Sequence, residues 1–389
     1  MAYTHFQYIA YQTPTFGRNN VNDTWMSALS AGDMCDEIQG VTFQDNGNLS
    51  EDAKKRLRRL AAVVNKAQSE LVGDQDTTLK VFVAPEFYFR PEASTNHHSY
   101  STEEQQHLIA ALANMFTDAK FDHWVIVAGT VIANLVKMPL TTPKIYNYYN
   151  TAIVIRGGAQ GFVNAIEKQQ PSSIDGVPVD GGISNPFVKT NNYKQYYSQW
   201  GVRKKRIFDV DGIRMGLDIC LDHAGPVAFN PKGAVMVQDI LRVTKRLTNE
   251  YLARPPFPAP LKELSLHILT AGGMSIQKHS VAAKNGGYIL RTDGHPGMPS
   301  TVEFKRVTGY SSPAGTKTFY DLYTGAPNPA PALTKSSSTF PNCPEANMVN
   351  IAATNTSALT GKLKIPIPAD YNPTNMSQNI LTFPVTAMP

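Results

Sequence analysis

Short runs of apolar, mostly β-branched residues recur as far as about residue 295, with helix-like segments between them. Runs such as Val125-Ile-Val-Ala are continuous rather than alternating, which is typical of strands covered on both faces. The pattern predicts strands at residues 6–11, 79–84, 124–130, 151–156, 207–210, 215–220, 266–270 and 288–292.

Helical periodicity appears between several of these runs. Ser50 is a good N-cap for a first helix, and the acidic residue Glu51 suits its first turn. An apolar stripe then continues at helical spacing to Leu71, before Gly73 ends the helix. Further helices are predicted at residues 101–116 and 274–284, the second of them stopped by Gly286 and Gly287. Alternation of strands and helices predicts a layered α/β fold.

The remaining segments lack periodicity. Residues 17–49 and 169–200 are polar inserts, and the chain beyond Ser311 is rich in Pro, Thr, Asn and Ser. This composition favours a main domain over residues 1–310 and a C-terminal extension over residues 311–389. We expect the extension to be an arm on the body or on a partner, or partly disordered. The apolar residues expected to dock it are Leu363, Ile365 and Ile367, in a strand-like stretch at 362–367.

Composition and charge exclude several classes of protein. The net charge of +5 is too small to indicate nucleic acid binding. The three cysteines, Cys35, Cys220 and Cys343, form neither a disulfide framework nor a metal-binding spacing. No apolar run is long enough to span a membrane, and the N-terminus lacks the apolar core of a signal peptide. We therefore expect a cytoplasmic protein, with export by a route without a cleaved signal left open.

Two reactive side chains stand at the ends of predicted strands. Glu86 follows the apolar run Val81–Pro85, where desolvation favours a protonated carboxyl and suits a general base. Cys220 ends the run Met215–Ile219 and enters a loop, which is a suitable position for a nucleophile. Either feature alone is weak, because a single cysteine at a strand end is more often a buried structural thiol.

A set of sequence blocks follows in a particular order along the chain. The blocks are Pro85-Glu86, Val127–Thr130, Tyr149–Ile155, Lys168, Gly216–Asp222 and Ala282–Leu290. In this order they resemble the blocks of the nitrilase, or carbon–nitrogen hydrolase, superfamily. The resemblance extends over residues 3–295 of the chain.

The resemblance implies an α-β-β-α four-layer sandwich and a Glu-Lys-Cys triad that cleaves a non-peptide carbon–nitrogen bond, in an amide, a nitrile or a carbamoyl group. By position, Glu86 matches the general base, Cys220 the nucleophile that forms a thioester, and Lys168 the cation that stabilises the tetrahedral intermediate. A nearby ammonium lowers the pKa of a thiol and, with the backbone N–H of Leu221, can bind an oxyanion. The resemblance also implies no cofactor and no metal, and a homodimer or larger homo-oligomer.

The chain departs from the family pattern in three places. Lys168 and Cys220 are 52 residues apart, more than the family usually shows, so the insert between them should narrow the pocket entrance. No glutamate lies between them to match the family's second glutamate, and Asp175 and Asp180 are the candidates to replace it. The Leu-Asp-His sequence after Cys220 also differs from the family pattern, so the substrates of family members cannot be carried over to this chain.

Several residues near the predicted triad have competing interpretations. Lys189 and Lys194 are rivals to Lys168. His223 is either half of a Cys/His dyad or, as we favour, a loop histidine bonded to backbone, and we expect Asp222 to bond loop backbone as well. The further candidates to contact substrate or oxyanion are Leu221, Tyr88, Asp222 and His223.

Two other clusters are interpreted as solvent-facing surface. His97 and His98, with Glu92 and His107 nearby, lack a metal-binding spacing. The basic run Lys54–Arg59 should form the solvated face of the first helix, opposite the apolar stripe.

A second class of function stays open beside the hydrolase. A catalytically silent member of the same fold could act as an interaction or effector module through its inserts and extension. The intact set of Glu86, Lys168 and Cys220 favours the enzyme, whereas the missing second glutamate favours the silent module.

Overall fold

The computed structural model describes residues 3–15, 47–71, 76–91, 99–138, 145–159, 161–168, 206–224, 263–295, 297–311, 317–318, 339–340, 345–364 and 377–389. The insert at 169–200 and most of the insert at 17–49 therefore lie outside the described residues. The same holds for Asp175, Asp180, Lys189, Lys194, Glu92, His97 and His98, so the predictions made for them stay predictions.

Strands dominate the described residues. They are β1 (His5–Gln12), β2 (Thr78–Val83), β3 (Tyr100–Ser101), β4 (Trp124–Met138), β5 (Ile145–Arg156), β6 (Val163–Glu167), β7 (Ile207–Val210), β8 (Ile213–Ile219), β9 (Leu264–Ala271), β10 (Ala283–Asp293), β11 (Val302–Ser311), β12 (Lys317–Thr318), β13 (Thr339–Phe340), β14 (Glu345–Asn350), β15 (Asn355–Ala358), β16 (Asn379–Thr382) and β17 (Thr386–Ala387). The helices are α1 (Glu51–Ser69), α2 (Thr102–Met115) and the single turn α3 (Leu221–Ala224).

Two mixed sheets organise these strands. The first has the order β15-β16-β1-β2-β4-β5-β6, and β1, β2 and β4 run parallel at its centre. The second has the order β14-β11-β10-β9-β8-β7, again with a parallel centre formed by β8, β9 and β10. Every strand predicted up to residue 295 is confirmed within a few residues at each end, except that β4, β5 and β10 are considerably longer than predicted. The strand-like stretch at 362–367 was wrong in its described part, where a 3₁₀ turn forms at Gly361–Leu363.

The packing explains why the apolar runs are continuous. Along β1, Phe6 and Tyr8 join a core between the two sheets, whereas Ile9 and Tyr11 join a core under the helices. On β2, Val81 likewise joins the core between the sheets and Phe82 the core under the helices. Both faces of the first sheet are covered, so neither face needs polar side chains.

The first two predicted helices are confirmed, with a correction to their surface. The Ser50 side chain accepts a hydrogen bond from Ala53 N, as expected for an N-cap, although α1 ends at Ser69 rather than at Gly73. The prediction that the basic run of α1 is solvated was wrong for Arg56 and Arg59, which are both buried. A long arginine can enter the interior when its guanidinium finds fixed acceptors.

The contacts of Arg56 show how α1 accommodates a buried charge. Its guanidinium binds the Asp52 carboxylate, with both nitrogen–oxygen distances at or below 3.0 Å, and donates to Tyr88 O at 2.8 Å. These bonds attach the helix to the segment that follows β2.

The third predicted helix, at residues 274–284, was wrong. Only a short 3₁₀ turn forms there, at Lys278–Ser280, and β10 begins at Ala283. The Asp293 carboxylate accepts from the N–H groups of Gly273 and Met274, so the backbone that would start a helix is bonded elsewhere. Gly286 and Gly287, expected to end the helix, instead lie at an irregularity inside β10.

The C-terminal extension completes both sheets of the same chain. β14 pairs with β11 in the second sheet, and β16 pairs with β1 in the first. Phe383 lies in the core between the sheets, stacked on Tyr8 with ring centroids 4.8 Å apart. Leu363, one of the expected docking residues, packs against the core under the helices, whereas Ile365 and Ile367 lie outside the described residues.

The α/β class predicted from the sequence is confirmed. α1 and α2 cover the outer face of the first sheet, and the two sheets face each other across an apolar core. A helical layer on the second sheet does not occur among the described residues, so the four-layer sandwich stays a prediction. In the part of the chain that the structure describes, no helix combines the length and apolar character that crossing a bilayer requires.

Candidate active site

Glu86 and Lys168 lie at the same edge of the first sheet. β5 is antiparallel to β4 and β6 is antiparallel to β5, so β6 runs in the direction of β2 and β4. The carboxyl ends of β2 and β6 therefore meet one edge, where Glu86 follows the first and Lys168 follows the second. Sites in sheets with parallel strands commonly form at such an edge.

The two side chains form a buried ion pair. Lys168 Nζ lies 2.9 Å from Glu86 Oε1, and both residues are at most 1% exposed. Asn150 Nδ2 donates to the same Oε1 at 2.8 Å, while Asn150 O accepts from Lys168 N at 2.7 Å. Asn150 therefore holds the carboxylate with its side chain and the lysine with its backbone. Burying a charged group away from water costs free energy unless an opposite charge and hydrogen bonds compensate, as they do here.

The backbone around Glu86 is packed tightly and carries strain. Thr15 Oγ1 donates to Glu86 O at 2.5 Å, and Phe87 N donates to Thr130 Oγ1 at 2.8 Å. Phe87 has φ +64°, in the left-handed region that non-glycine residues rarely adopt. A Cβ at Gly129 on β4 would overlap the carbonyl oxygen of Pro85, so only glycine allows this close approach.

Cys220 stands at a sharp strand-to-helix turn. It follows β8 directly, has φ +47°, and is succeeded by the helical turn α3. Its N–H donates to Thr270 O at 2.9 Å, and its own carbonyl accepts from His223 N at 2.9 Å. The thiol is buried, with Sγ 4.0 Å from Gly272 O. Strained turns of this kind present a nucleophile at the end of a strand.

Hydrogen bonds between the sheets bring the two edges together. Thr270, which accepts from Cys220 N, also donates from Oγ1 to Ala84 O at 3.0 Å. Ala84 lies two residues before Glu86. Thr15 N donates to Gly294 O at 2.8 Å, a second link between the ends of the sheets. Cys220 and Glu86 are thus anchored at the same end of the molecule by elements that contact each other.

A cluster of buried polar side chains lies behind Cys220. Asp218 Oδ2 is 3.0 Å from His223 Nδ1 and 3.0 Å from His267 Nε2, and all three residues are fully buried. Burial alone would raise the pKa of Asp218, but the hydrogen bonds from the two histidines outweigh it and hold the pKa well below its usual value. The carboxylate is therefore the ionised centre of the cluster.

The same residues could in principle ligate a metal, because their ligand atoms lie within 4.8 Å of one another. The hydrogen bonds of His267 argue against this. Ala282 N donates to His267 Nδ1 at 3.1 Å, so Nδ1 carries no proton and Nε2 carries it. A metal at Nε2 would force the proton onto Nδ1, facing another N–H donor. The donor set fits a hydrogen-bonded support for the Cys220 turn.

Asp222 and His223 have partners other than those expected. We expected both to bond loop backbone; the His223 ring instead bonds Asp218, and Asp222 Oδ2 lies 2.8 Å from Arg206 Nη1. Asp222 and Arg206 are both fully or almost fully buried. Because Nδ1 of His223 is engaged by the Asp218 carboxylate, only its Nε2 could serve a Cys/His dyad, and that interpretation stays untested.

The other candidates divide between the site and the core. Leu221 begins α3 and is partly buried, which leaves its role in binding an oxyanion a prediction. Tyr88 lies in the core under the helices, where its hydroxyl donates to Arg56 O at 3.2 Å. Its ring packs against Tyr11 and Phe89, and its contact with substrate stays a prediction. His107 lies on α2, partly buried.

Sequence reasoning missed several residues that surround the predicted triad. Each is a polar side chain inside or beside an apolar strand, and that contrast was the available signal. The missed residues are Asn150, Arg206, Asp218, His267 and Thr270.

Comparisons with known proteins give distant structural similarity only. No family model and no curated protein matches the sequence. The chain is similar to an amidase from Nesterenkonia sp., with 11% identity and a TM-score of 0.36 over 79% of this chain and 83% of that chain. It is also similar to a CN-hydrolase superfamily protein from Xanthomonas campestris with an arsenic adduct in its active site, with 11% identity and a TM-score of 0.34 over 78% and 82% of the two chains. Similarity at this level does not assign the chain to a family or an activity.

Proposed function

We propose that the chain is a cysteine-dependent hydrolase that cleaves a non-peptide carbon–nitrogen bond. The observation that carries the proposal is the buried pair of Glu86 and Lys168, 2.9 Å apart, at the edge to which hydrogen bonds also anchor the Cys220 turn. Buried ion pairs contribute little net stability, whereas a carboxylate, an ammonium and a thiol together can perform acyl transfer. Strain at Phe87 and at Cys220 also supports a functional role for both segments.

In the proposed mechanism, Cys220 attacks the carbonyl carbon of an amide and passes its proton to Glu86. The negative charge that develops on the substrate oxygen is stabilised by the Lys168 ammonium and by the N–H of Leu221. Glu86 then delivers the proton to the leaving amine, which departs and leaves a thioester on Cys220. Water, deprotonated by Glu86, attacks the thioester carbonyl; the carbon–sulfur bond breaks, the acid leaves, and the proton on Glu86 returns to the Cys220 sulfur.

The residues found around the triad have supporting roles in this mechanism. Asn150 donates to the carboxylate oxygen of Glu86 that also binds Lys168, so it keeps that oxygen oriented. The Asp218 cluster supports the turn that carries the nucleophile. The substrate class proposed is a small-molecule amide, with nitriles and carbamoyl compounds as alternatives, and neither a cofactor nor a metal takes part in the proposed steps.

Covalent labelling tests the proposal. Fluoroacetamide forms a covalent adduct at the active-site cysteine of a variant of the Nesterenkonia sp. AN1 amidase, which is 12% identical to this chain, with a TM-score of 0.32 over 78% of this chain and 82% of that one. We expect the same reagent to label Cys220 in a Cys35→Ser/Cys343→Ser background, as measured by intact mass and peptide mapping. The Cys220→Ala variant is the matched control and should gain no mass.

Turnover distinguishes the enzyme from the silent module. Ammonia release should be measured with a panel of small amides and nitriles for the native protein, for Cys220→Ala and for Glu86→Gln. We expect release by the native protein, none by Cys220→Ala, and a rate at least about a hundredfold lower in Glu86→Gln, because a general base is removed. Release by Cys220→Ala at the native rate would refute the mechanism. Labelling of Cys220 without turnover of any compound would favour the interaction module.

We also propose that the chain assembles as a homodimer or a larger homo-oligomer, and this proposal does not depend on the proposed reaction. Sedimentation velocity of the full chain tests it, and a single species with the mass of one chain would refute it.

A further inference from the structure

Arg206 connects the end of β6, which Lys168 follows, to the turn that carries Cys220. Its backbone carbonyl accepts from Leu217 N at 3.0 Å, which fixes Arg206 to β8, the strand that precedes Cys220. Its side chain is 1% exposed, and of its guanidinium nitrogens Nη2 has a hydrogen-bond partner, whereas Nε and Nη1 are buried without one among the described residues. This placement differs from that of an arginine on the surface, where the guanidinium would remain hydrated.

The guanidinium reaches one residue on each side of the site. Nη1 lies 2.8 Å from Asp222 Oδ2, two residues after Cys220. Nη2 donates to the backbone carbonyl of Glu167, the residue immediately before Lys168. The Asp222 contact is an ion pair without hydrogen-bond geometry, whereas the Glu167 contact is a hydrogen bond, and the rigid, planar guanidinium links the two partners.

We propose that Arg206 is a positioning residue that sets where the Lys168 ammonium stands relative to Cys220. The inference rests on the proposed function, because it assigns Arg206 a part in arranging the two groups. An ion pair that only stabilised the fold could be replaced by apolar side chains at little cost. The contacts of Arg206 instead join the two sheets beside Lys168 and Cys220, and so control the distance between the ammonium and the thiol.

The test removes the interaction without changing the net charge. In the Arg206→Met/Asp222→Asn variant one positive and one negative charge disappear together. Any change in the reactivity of Cys220 then reflects geometry rather than a lost charge. The readout is the rate of Cys220 alkylation by iodoacetamide as a function of pH, in the Cys35→Ser/Cys343→Ser background.

We expect the pH midpoint of alkylation to rise by about one unit in this variant, because an ammonium that has moved away stabilises the thiolate less. Alkylation below that midpoint should slow about tenfold. Arg206→Lys should show a smaller rise, because a lysine keeps the charge but lacks the fork. Arg206→Lys also provides a second variant if Arg206→Met/Asp222→Asn fails to fold.

A coupling measurement separates positioning from a direct effect. Lys168→Met alone should raise the midpoint, and in the Arg206→Met/Asp222→Asn background it should add little further change. Non-additivity of this kind is expected when two residues act through one interaction. Leu60→Ala is the control for lost stability, since Leu60 is buried in the core under the helices, and it should leave the midpoint unchanged.

The outcomes distinguish this inference from the proposed function. If Lys168→Met raises the midpoint while the folded Arg206 variants do not, the positioning role is wrong and the proposed function survives. If the two effects add in full, Arg206 does not act through Lys168. If Lys168→Met itself changes nothing, the role proposed for Lys168 fails, and the inference fails with it.

Discussion

Glu86 and Lys168 depend on each other at the scale of single residues. Replacing Glu86 by Gln leaves the Lys168 ammonium buried without its carboxylate, 2.9 Å from a neutral group. We expect the free energy of unfolding to fall by about 3 kcal/mol, as measured by urea denaturation. In Glu86→Gln/Lys168→Met no orphaned charge remains, so part of the stability should return while activity does not. An unchanged unfolding midpoint in Glu86→Gln would show that the Lys168 ammonium does not depend on the Glu86 carboxylate for its stability.

Asp218 makes the stability of the protein depend on acid. Its pKa is lower in the folded protein than in the unfolded chain, although burial opposes this, because His223 and His267 donate to the carboxylate. The ionised carboxylate therefore stabilises the fold above its unfolded pKa of about 3.9, and this contribution is lost as the pH falls through the lower, folded pKa. We expect Asp218→Asn to lose about 2 kcal/mol near neutral pH, and the difference from the native protein to shrink below about pH 4.

Urea denaturation of both proteins between about pH 7 and pH 3 measures this dependence. Asp209→Asn is the control, because the Asp209 side chain is 56% exposed and its ion pair with Arg214 should contribute less than about 0.5 kcal/mol. A difference between Asp218→Asn and the native protein that stayed constant over the whole range would exclude the charge of Asp218 as its cause.

At the scale of elements, the close approach of β4 to the segment after β2 positions Glu86. Gly129 has φ +77°, and a Cβ there would meet both Pro85 and Tyr88. We expect Gly129→Ala to lower the free energy of unfolding by about 3 kcal/mol, from left-handed strain and from overlap together. It should also slow labelling of Cys220, because the overlap displaces the Pro85-Glu86 segment toward the site.

Gly212 provides a matched control for Gly129→Ala. It lies in the turn between β7 and β8 with φ +85°, and a Cβ there would meet nothing within 4 Å. Gly212→Ala therefore carries only the strain of positive φ, at about 1 kcal/mol. Equal losses of stability in the two alanine variants would show that the close approach at Gly129 adds nothing.

At the scale of the whole molecule, the C-terminal extension is part of the core. Phe383 is 3% exposed and packs between the sheets against Tyr8 and Phe304. We expect Phe383→Ala to lower the free energy of unfolding by about 3–5 kcal/mol, with a single cooperative transition in urea. The pH midpoint of Cys220 alkylation should not change, because the substitution lies at a distance from the triad along both sheets.

Val385 in the same segment is the control for Phe383. It is 46% exposed, so Val385→Ala should change stability by less than about 0.5 kcal/mol. Two separate unfolding transitions in Phe383→Ala would instead show that the extension folds as a unit of its own.

Local pattern was sufficient for most strands and for the first two helices, but not for the third. The apolar runs and the cap at Ser50 act over a few residues, and the structure follows them. The stretch from Met274 has a pattern that suits a helix, yet Asp293 binds its first N–H groups from another strand. Local sequence cannot report a competitor that is distant along the chain.

The sequence by itself determined the α/β class, the strands that end at Glu86 and Cys220, and the residues from which a carbon–nitrogen hydrolase is proposed. The class and the strands follow from periodicity, which is a local property, whereas the set of Glu86, Lys168 and Cys220 was identified through the resemblance of the ordered blocks to the nitrilase superfamily. Only the tertiary structure decided that Lys168 binds Glu86, that Asn150 orients the pair and that Arg206 joins both sides of the site. Each of these contacts joins residues far apart in the chain, and their partners are chosen by sheet order, register and burial, which no local pattern contains.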